Sequence, residues 1–184
     1  MQLALITPIS GLEKFASQSQ GIHLCLAHLV LAHKEYKEFY CAQSAAGATI
    51  IVDNGTFELG APLPTKDIVE AARQVNGHIL VAPDYPKRPI QENIAACEKF
   101  CFETSLTPFT VMACPQTEIG DYEGWFYGVR RMAQFPRVSR IGVSGMACAD
   151  AFCILTGCCE YEVNRLFATA YMRLNMRWWP KRII

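Results

Sequence analysis

The sequence predicts an α/β protein: a TIM-type (β/α) barrel that is incomplete, with about six parallel strands. Three observations lead there. Short β-rich runs alternate with helical stretches across short connections, as parallel β/α units do. The β-rich runs are continuously apolar, as strands covered on both faces are. Polar residues stand at the ends of successive runs, at Asp53, Asp84, Gln116 and Ser144, where a barrel places its site. An open doubly wound sheet fits the alternation too. However, no G-x-G-x-x-G or G-x-x-x-x-G-K-[ST] follows any strand, so the phosphate loops of open sheets are absent.

The elements follow in order. Leu3–Thr7 reads as a short strand ending at Pro8, and Ile22–Ala27 as a second. A helical stretch then runs through Tyr36 and Tyr40. Thr49-Ile50-Ile51-Val52 is a β-branched strand, closed by the turn signal Asp53-Asn54-Gly55. After Pro64, Thr65 reads as an N-cap, and Asp67 complements the helix dipole. Ile68, Ala71, Ala72 and Val75 recur at helical spacing, and Asn76-Gly77 stops that helix. The cycle repeats with strand Ile79–Ala82 ending at Pro83-Asp84, then a helix from Gln91 to about Phe102. It repeats again with strand Phe109–Ala113 ending at Pro115-Gln116, then a helix from Tyr122 to about Gln134. A strand Arg140–Val143 ends at Ser144-Gly145, and a last helix spans Cys159 to about Trp178.

Length and composition narrow the class. The 184 residues suit one domain, 1–184, and 51% hydrophobic residues suffice for a packed core. Lys+Arg and Asp+Glu both number 17, which excludes a strongly basic nucleic-acid coat but leaves room for a local basic patch. No run of about 18 apolar residues occurs, so no membrane span is expected. The start, Met1 to Ile6, lacks the basic region of a signal peptide, so a cytoplasmic location is expected. Nine cysteines without a C-x-x-C pair read as reduced, buried small hydrophobes, with no metal and no cofactor implied.

Four segments carry chemistry. Asp53-Asn54-Gly55-Thr56-Phe57-Glu58 sets a carboxylate at a strand end before a glycine turn. It can hold an acid at the mouth of a barrel, or it can be an Asx turn capping a loop. Ala82-Pro83-Asp84 repeats the pattern one unit later, and paired carboxylates in one cleft can divide protonated and ionised roles. Met112-Ala113-Cys114-Pro115-Gln116 adds an amide, whose donor and acceptor suit a purine-like edge. Ile141-Gly142-Val143-Ser144-Gly145 adds small residues that leave room for a flat ligand, although packing alone can also demand glycine.

In that order and strand context, these segments resemble the tRNA-guanine transglycosylase superfamily, and most of all its phage-type branch, the 7-deazaguanine DNA transglycosylases. Transglycosylases of tRNA carry D-S-G-G-F-Q where this chain has Asp53 to Glu58. The resemblance covers about residues 1–145. It implies a (β/α) barrel that exchanges guanine for a 7-deazaguanine base on a nucleic-acid sugar, on DNA sooner than tRNA. It further implies Asp53 as the catalytic acid/base and Asp84 and Gln116 as base-binding residues. Gly142, Ser144 and Gly145 line the base pocket in this reading. The physical demands agree: base exchange needs an extruded nucleotide, a flat pocket and polar groups on the base edge.

The chain also departs from the family. The family's nucleophile is an aspartate on a later strand. Asp150 is the last aspartate here and falls too early, and Arg173–Ile184 holds no carboxylate. The last β/α units are therefore expected to be missing. The nucleophile would then come from a second chain, or the open sheet edges would be covered in a homodimer. The alternative is a non-catalytic base- or nucleic-acid-binding subunit. The zinc-binding C-x-C-x-x-C of the tRNA enzymes is absent. For a phage-encoded protein, the expected compartment is the host cytoplasm.

Overall fold

The computed structural model describes residues 6–15, 21–142 and 182–183. Five strands lie side by side in chain order, all parallel: β1 (Ile22–Leu26), β2 (Thr49–Asp53), β3 (Ile79–Val81), β4 (Thr110–Ala113) and β5 (Val138–Ile141). A two-residue strand, β6 (Arg182–Ile183), pairs outside β5. The sheet is open among the described residues, with β1 and β6 as its edges. The expected α/β class with an all-parallel sheet and open edges is present.

Strand order never reverses. Right-handed crossovers put each connecting helix on the same side, so an unreversed order leaves all the helices on one face. The side chains divide accordingly. Cys25, Ile50, Val52, Leu80, Ala82, Val111, Ala113, Val138 and Ile141 meet the helices in the main core. Ile22, Ile51, Ile79, Val81 and Met112 form a second cluster made of strand residues alone, on the other face. Alternation along β2 puts Asp53 on that second face with Ile51.

The helices cover the first face. After a short helix α1 (Leu12–Phe15), β1 runs straight into α2 (Ala27–Ala32), which is followed by α3 (Lys34–Ala45). The single helical stretch expected here is broken at His33, whose backbone is extended at φ −126° and ψ 113°. The break sets Tyr36 and Tyr40, both fully buried, beneath the sheet. Tyr36 Oη accepts the Leu26 N–H at 3.1 Å, and Tyr40 Oη donates to the Leu24 carbonyl at 3.4 Å. These bonds satisfy backbone groups near the end of β1 that the period of the sequence does not reveal.

Beyond β2 comes α4 (Thr56–Leu59), then α5 (Thr65–Gln74), which buries Ile68, Val69, Ala71 and Ala72. Thr65 is the first helical residue and not a cap; its hydroxyl donates to Glu103 instead. The far end is a Schellman motif: Gly77 N donates to Ala72 O at 2.7 Å and Asn76 N to Arg73 O at 3.3 Å, with Asn76 at φ 49°. In α6 (Ile90–Glu103), Ile90, Asn93, Cys97, Phe100 and Cys101 share the buried stripe. Asp121 caps α7 (Tyr122–Met132) by accepting Gly124 N–H at 2.9 Å.

Other expectations shift. Of the strand expected at Leu3–Thr7, Ile6 and Thr7 lie outside any strand, and residues 3–5 lie outside the described residues. The sixth strand of the sheet is Arg182–Ile183, in a tail where none was expected. The strand expected from Arg140 begins at Val138 and ends at Ile141, so Gly142 immediately follows it. The helix expected over 159–178 lies outside the described residues. Among the described residues, no helix is long and apolar enough to cross a membrane.

Candidate functional site

The C-terminal ends of β2, β3 and β4 bring their polar residues together. Leu26 and Asp53 are register partners at the ends of β1 and β2, so Asp53 stands at the rim of the sheet. Its Oδ1 accepts Gly55 N–H at 2.8 Å, and Asn54 Oδ1 accepts Thr56 N–H at 2.7 Å. The Asx turn is therefore real, and it shapes the site as well as the loop. Gly55 sits at φ 75°, and a Cβ there would stand 2.9 Å from His28 Nδ1. Only glycine both adopts that backbone and leaves that space.

Asn54 is almost completely buried and works across the sheet. Its Nδ2 donates to the Ala82 carbonyl at 2.8 Å and to Asp84 Oδ1 at 2.9 Å. From the other side, Gln116 Nε2 donates to Asp84 Oδ2 at 2.9 Å. Each oxygen of Asp84 thus receives an amide proton, one from the strand end on either side. Thr56 Oγ1 also donates to the Asp84 carbonyl at 3.2 Å. Just beyond, Asn93 on α6 clamps the Tyr85 backbone, accepting its N–H at 2.7 Å and donating to its carbonyl at 3.1 Å.

The electrostatics follow from burial. Asp53 is held up at about 6 from an ordinary value near 3.8, chiefly because burial disfavours its charge. The charges of Asp84 and Glu58 push the same way, and the Gly55 N–H opposes them. Cys114, on the neighbouring strand end, has its thiol raised well above the ordinary range by burial, with the Asp84 and Asp53 charges adding to it. No Lys or Arg among the described residues lies within ion-pair distance of Asp53 or Asp84. Among the described residues, amide and backbone N–H groups are what meet their oxygens. No group of three potential metal ligands occurs among the described residues.

The sequence-expected residues are therefore placed unequally. Asp84 and Gln116 are in direct contact, and Asp53 is close enough to feel the charge of Asp84. Gly142 is set by packing: a Cβ there would approach Cys114 Sγ to 2.5 Å. Ser144 and Gly145 lie outside the described residues. Sequence reasoning passed over Asn54, Asn93 and Cys114 as site residues. Asn54 sat inside the quoted motif, but its type reads as a turn residue, and nothing in one sequence shows that its amide crosses to β3. A separate cleft of about 830 Å³ lies between α5 and α6, lined by Pro83 and Tyr85 but by none of Asp53, Asp84 and Gln116.

No family model and no curated protein matches the chain.

Proposed function

We propose that this chain is a base-exchange glycosyltransferase of (β/α)-barrel architecture that inserts a 7-deazaguanine base in place of guanine in DNA. The observation that carries the reading is the pairing at the strand ends. A half-buried carboxyl whose pKa is raised to about 6 stands near a second carboxylate whose two oxygens are fixed by amides from both neighbouring strands. A carboxylate has room for about four hydrogen bonds, so Asp84 keeps acceptor capacity after Asn54 and Gln116 are served. That capacity fits the adjacent N–H and amino donors on the edge of guanine and its 7-deaza relatives. Asp53, held near neutrality, gives a proton to the departing base and takes one from the incoming base. Gln116 positions Asp84 and offers its own carbonyl oxygen to the base. Phe57, 78% exposed in the same segment, is available as an apolar face.

Exchange also needs a nucleophile at the anomeric carbon, on the face opposite the leaving base. The proposal assigns it to a second polypeptide seated against an open edge of the sheet. The test has two readouts. In calorimetric titration with a free 7-deazaguanine base, Asp84→Ala weakens binding about 10- to 150-fold, the worth of a charge-assisted hydrogen bond of about 1.5–3 kcal/mol. Unchanged affinity, or no binding by the unsubstituted chain, rejects the reading. Incorporation of labelled base into DNA is then followed with and without a second polypeptide. Base binding with no incorporation under either condition assigns the chain to a binding subunit.

A further inference from the structure

The cleft between α5 and α6 is distinct from the strand-end site but abuts it. Three cations line it, Lys66, Arg73 and Lys99, against one carboxylate, Glu103. Glu103 is already engaged, by Lys99 at 3.8 Å and by the Thr65 hydroxyl. Lys66 and Arg73 are exposed and have no ion-pair partner among the described residues. In a chain with formal net charge zero, Lys66 and Arg73 give this cleft two free cations at its rim.

The floor is of another kind. The fully buried Phe100 and the buried Val69 give it an apolar base, and Tyr85, 36% exposed, stands at one end. Pro83 and Tyr85, which flank Asp84 in the sequence, form the wall of the cleft nearest the strand-end site. The Asn93 clamp on Tyr85 fixes that wall. Two unpaired cations beside the exposed ring of Tyr85 are what a single nucleic-acid strand uses: phosphates meet the cations and a base stacks on the ring. A small acidic metabolite would use the cations and leave the Tyr85 ring idle.

We infer that the α5–α6 cleft binds single-stranded nucleic acid, its phosphates on Lys66 and Arg73, and leads the strand past Tyr85 toward Asp84. The ligand class rests on the base-exchange reading, so the experiment separates the two. The full chain is titrated into a fluorescent oligothymidylate, which carries no guanine, and anisotropy is followed across a salt series. Removing two phosphate contacts from a single strand lowers the slope of log K against log salt by about 1.4. Lys66→Gln/Arg73→Gln should therefore show that smaller slope. Its deficit relative to the unsubstituted chain should be about sevenfold wider at about 50 mM than at about 200 mM salt. Lys34→Gln/Lys37→Gln on α3 removes the same charge from another surface and should leave slope and affinity unchanged.

An unchanged slope in the cleft variant, equal losses in both variants, or no oligonucleotide binding at all overturns the inference. So does displacement of the oligonucleotide by polyglutamate as readily as by unlabelled oligonucleotide, which would assign the cleft to an acidic protein segment. Thermal midpoints of both variants confirm that each is folded. The free-base titration completes the separation. Cleft-dependent oligonucleotide binding without base binding sinks the exchange reading and leaves the cleft standing. Base binding with oligonucleotide binding indifferent to Lys66 and Arg73 does the reverse.

Discussion

Asp53→Asn should stabilise this protein at neutral pH, and the gain should disappear in acid. The side chain is set into the rim of the sheet, where burial is the main force holding its carboxyl up at about 6 against an ordinary 3.8. Between those values the folded chain keeps a proton that the unfolded chain has already released. The folded state therefore binds more protons, and stability falls as pH rises across this window. Below about 3.8 the carboxyl is neutral in both states and costs nothing. Above about 6 the full cost of the buried charge is present. At about 1.4 kcal/mol per pH unit the displacement is worth roughly 3 kcal/mol, and residual solvent contact trims it to about 2 kcal/mol. Asparagine is nearly isosteric and keeps the oxygen that accepts Gly55 N–H at 2.8 Å, so the substitution removes charge with little change of shape. Urea unfolding from pH 3.5 to 8 measures it. The variant should exceed the unsubstituted chain by about 2 kcal/mol at pH 7.5, converge with it below pH 4, and show an unchanged denaturant slope. A difference constant across pH, or a less stable variant at pH 7.5, would refute the claim that a buried charge is stored at this rim. In the proposed function the same variant loses base exchange, because stability and proton transfer make opposite demands on the residue.

Three further glycine substitutions test the backbone in and near the site. Gly55→Ala and Gly60→Ala both force alanine into left-handed backbone, at φ 75° and 76°, a strain of about 1–2 kcal/mol each. Gly60 has nothing within 4 Å of its would-be Cβ, whereas Gly55 meets His28 Nδ1 at 2.9 Å, so thermal unfolding should show the larger loss at Gly55. His28→Ala should bring the two losses closer together, and equal losses without it would contradict the close approach. Gly142→Ala drives a methyl to 2.5 Å from Cys114 Sγ and should cost about 1–3 kcal/mol. Adding Cys114→Ala should recover most of that loss in a double-mutant cycle, and additive losses would show that the two strand ends do not meet there.

Much of the architecture was legible along the chain. The apolar runs at β1 to β5 and the helical spacing of α5, α6 and α7 come from local period, which needs no knowledge of neighbours. The Asn76-Gly77 stop read correctly because a Schellman end depends on residues adjacent in sequence. Asp53, Asp84 and Gln116 stood out because parallel strands present their C-terminal ends at one rim, so position in a repeated unit foretells neighbourhood. What needed tertiary structure was every contact made across strands or against a helix. The break at His33 follows from burying Tyr36 and Tyr40 against β1, not from local propensity. Thr65 lost its capping role to a partner 38 residues away. Asn54 reads in sequence as a turn residue, and only the pairing of β2 with β3 turns its amide onto Asp84. The cationic cleft is likewise invisible in a chain of balanced charge, because Lys66, Arg73 and Lys99 come from two helices that converge only in space. Sequence determined which elements form and which polar residues reach the rim, since period and strand direction are local properties. Tertiary structure decided which of those residues hold one another and which charges stand alone, since hydrogen bonds and burial depend on groups distant along the chain.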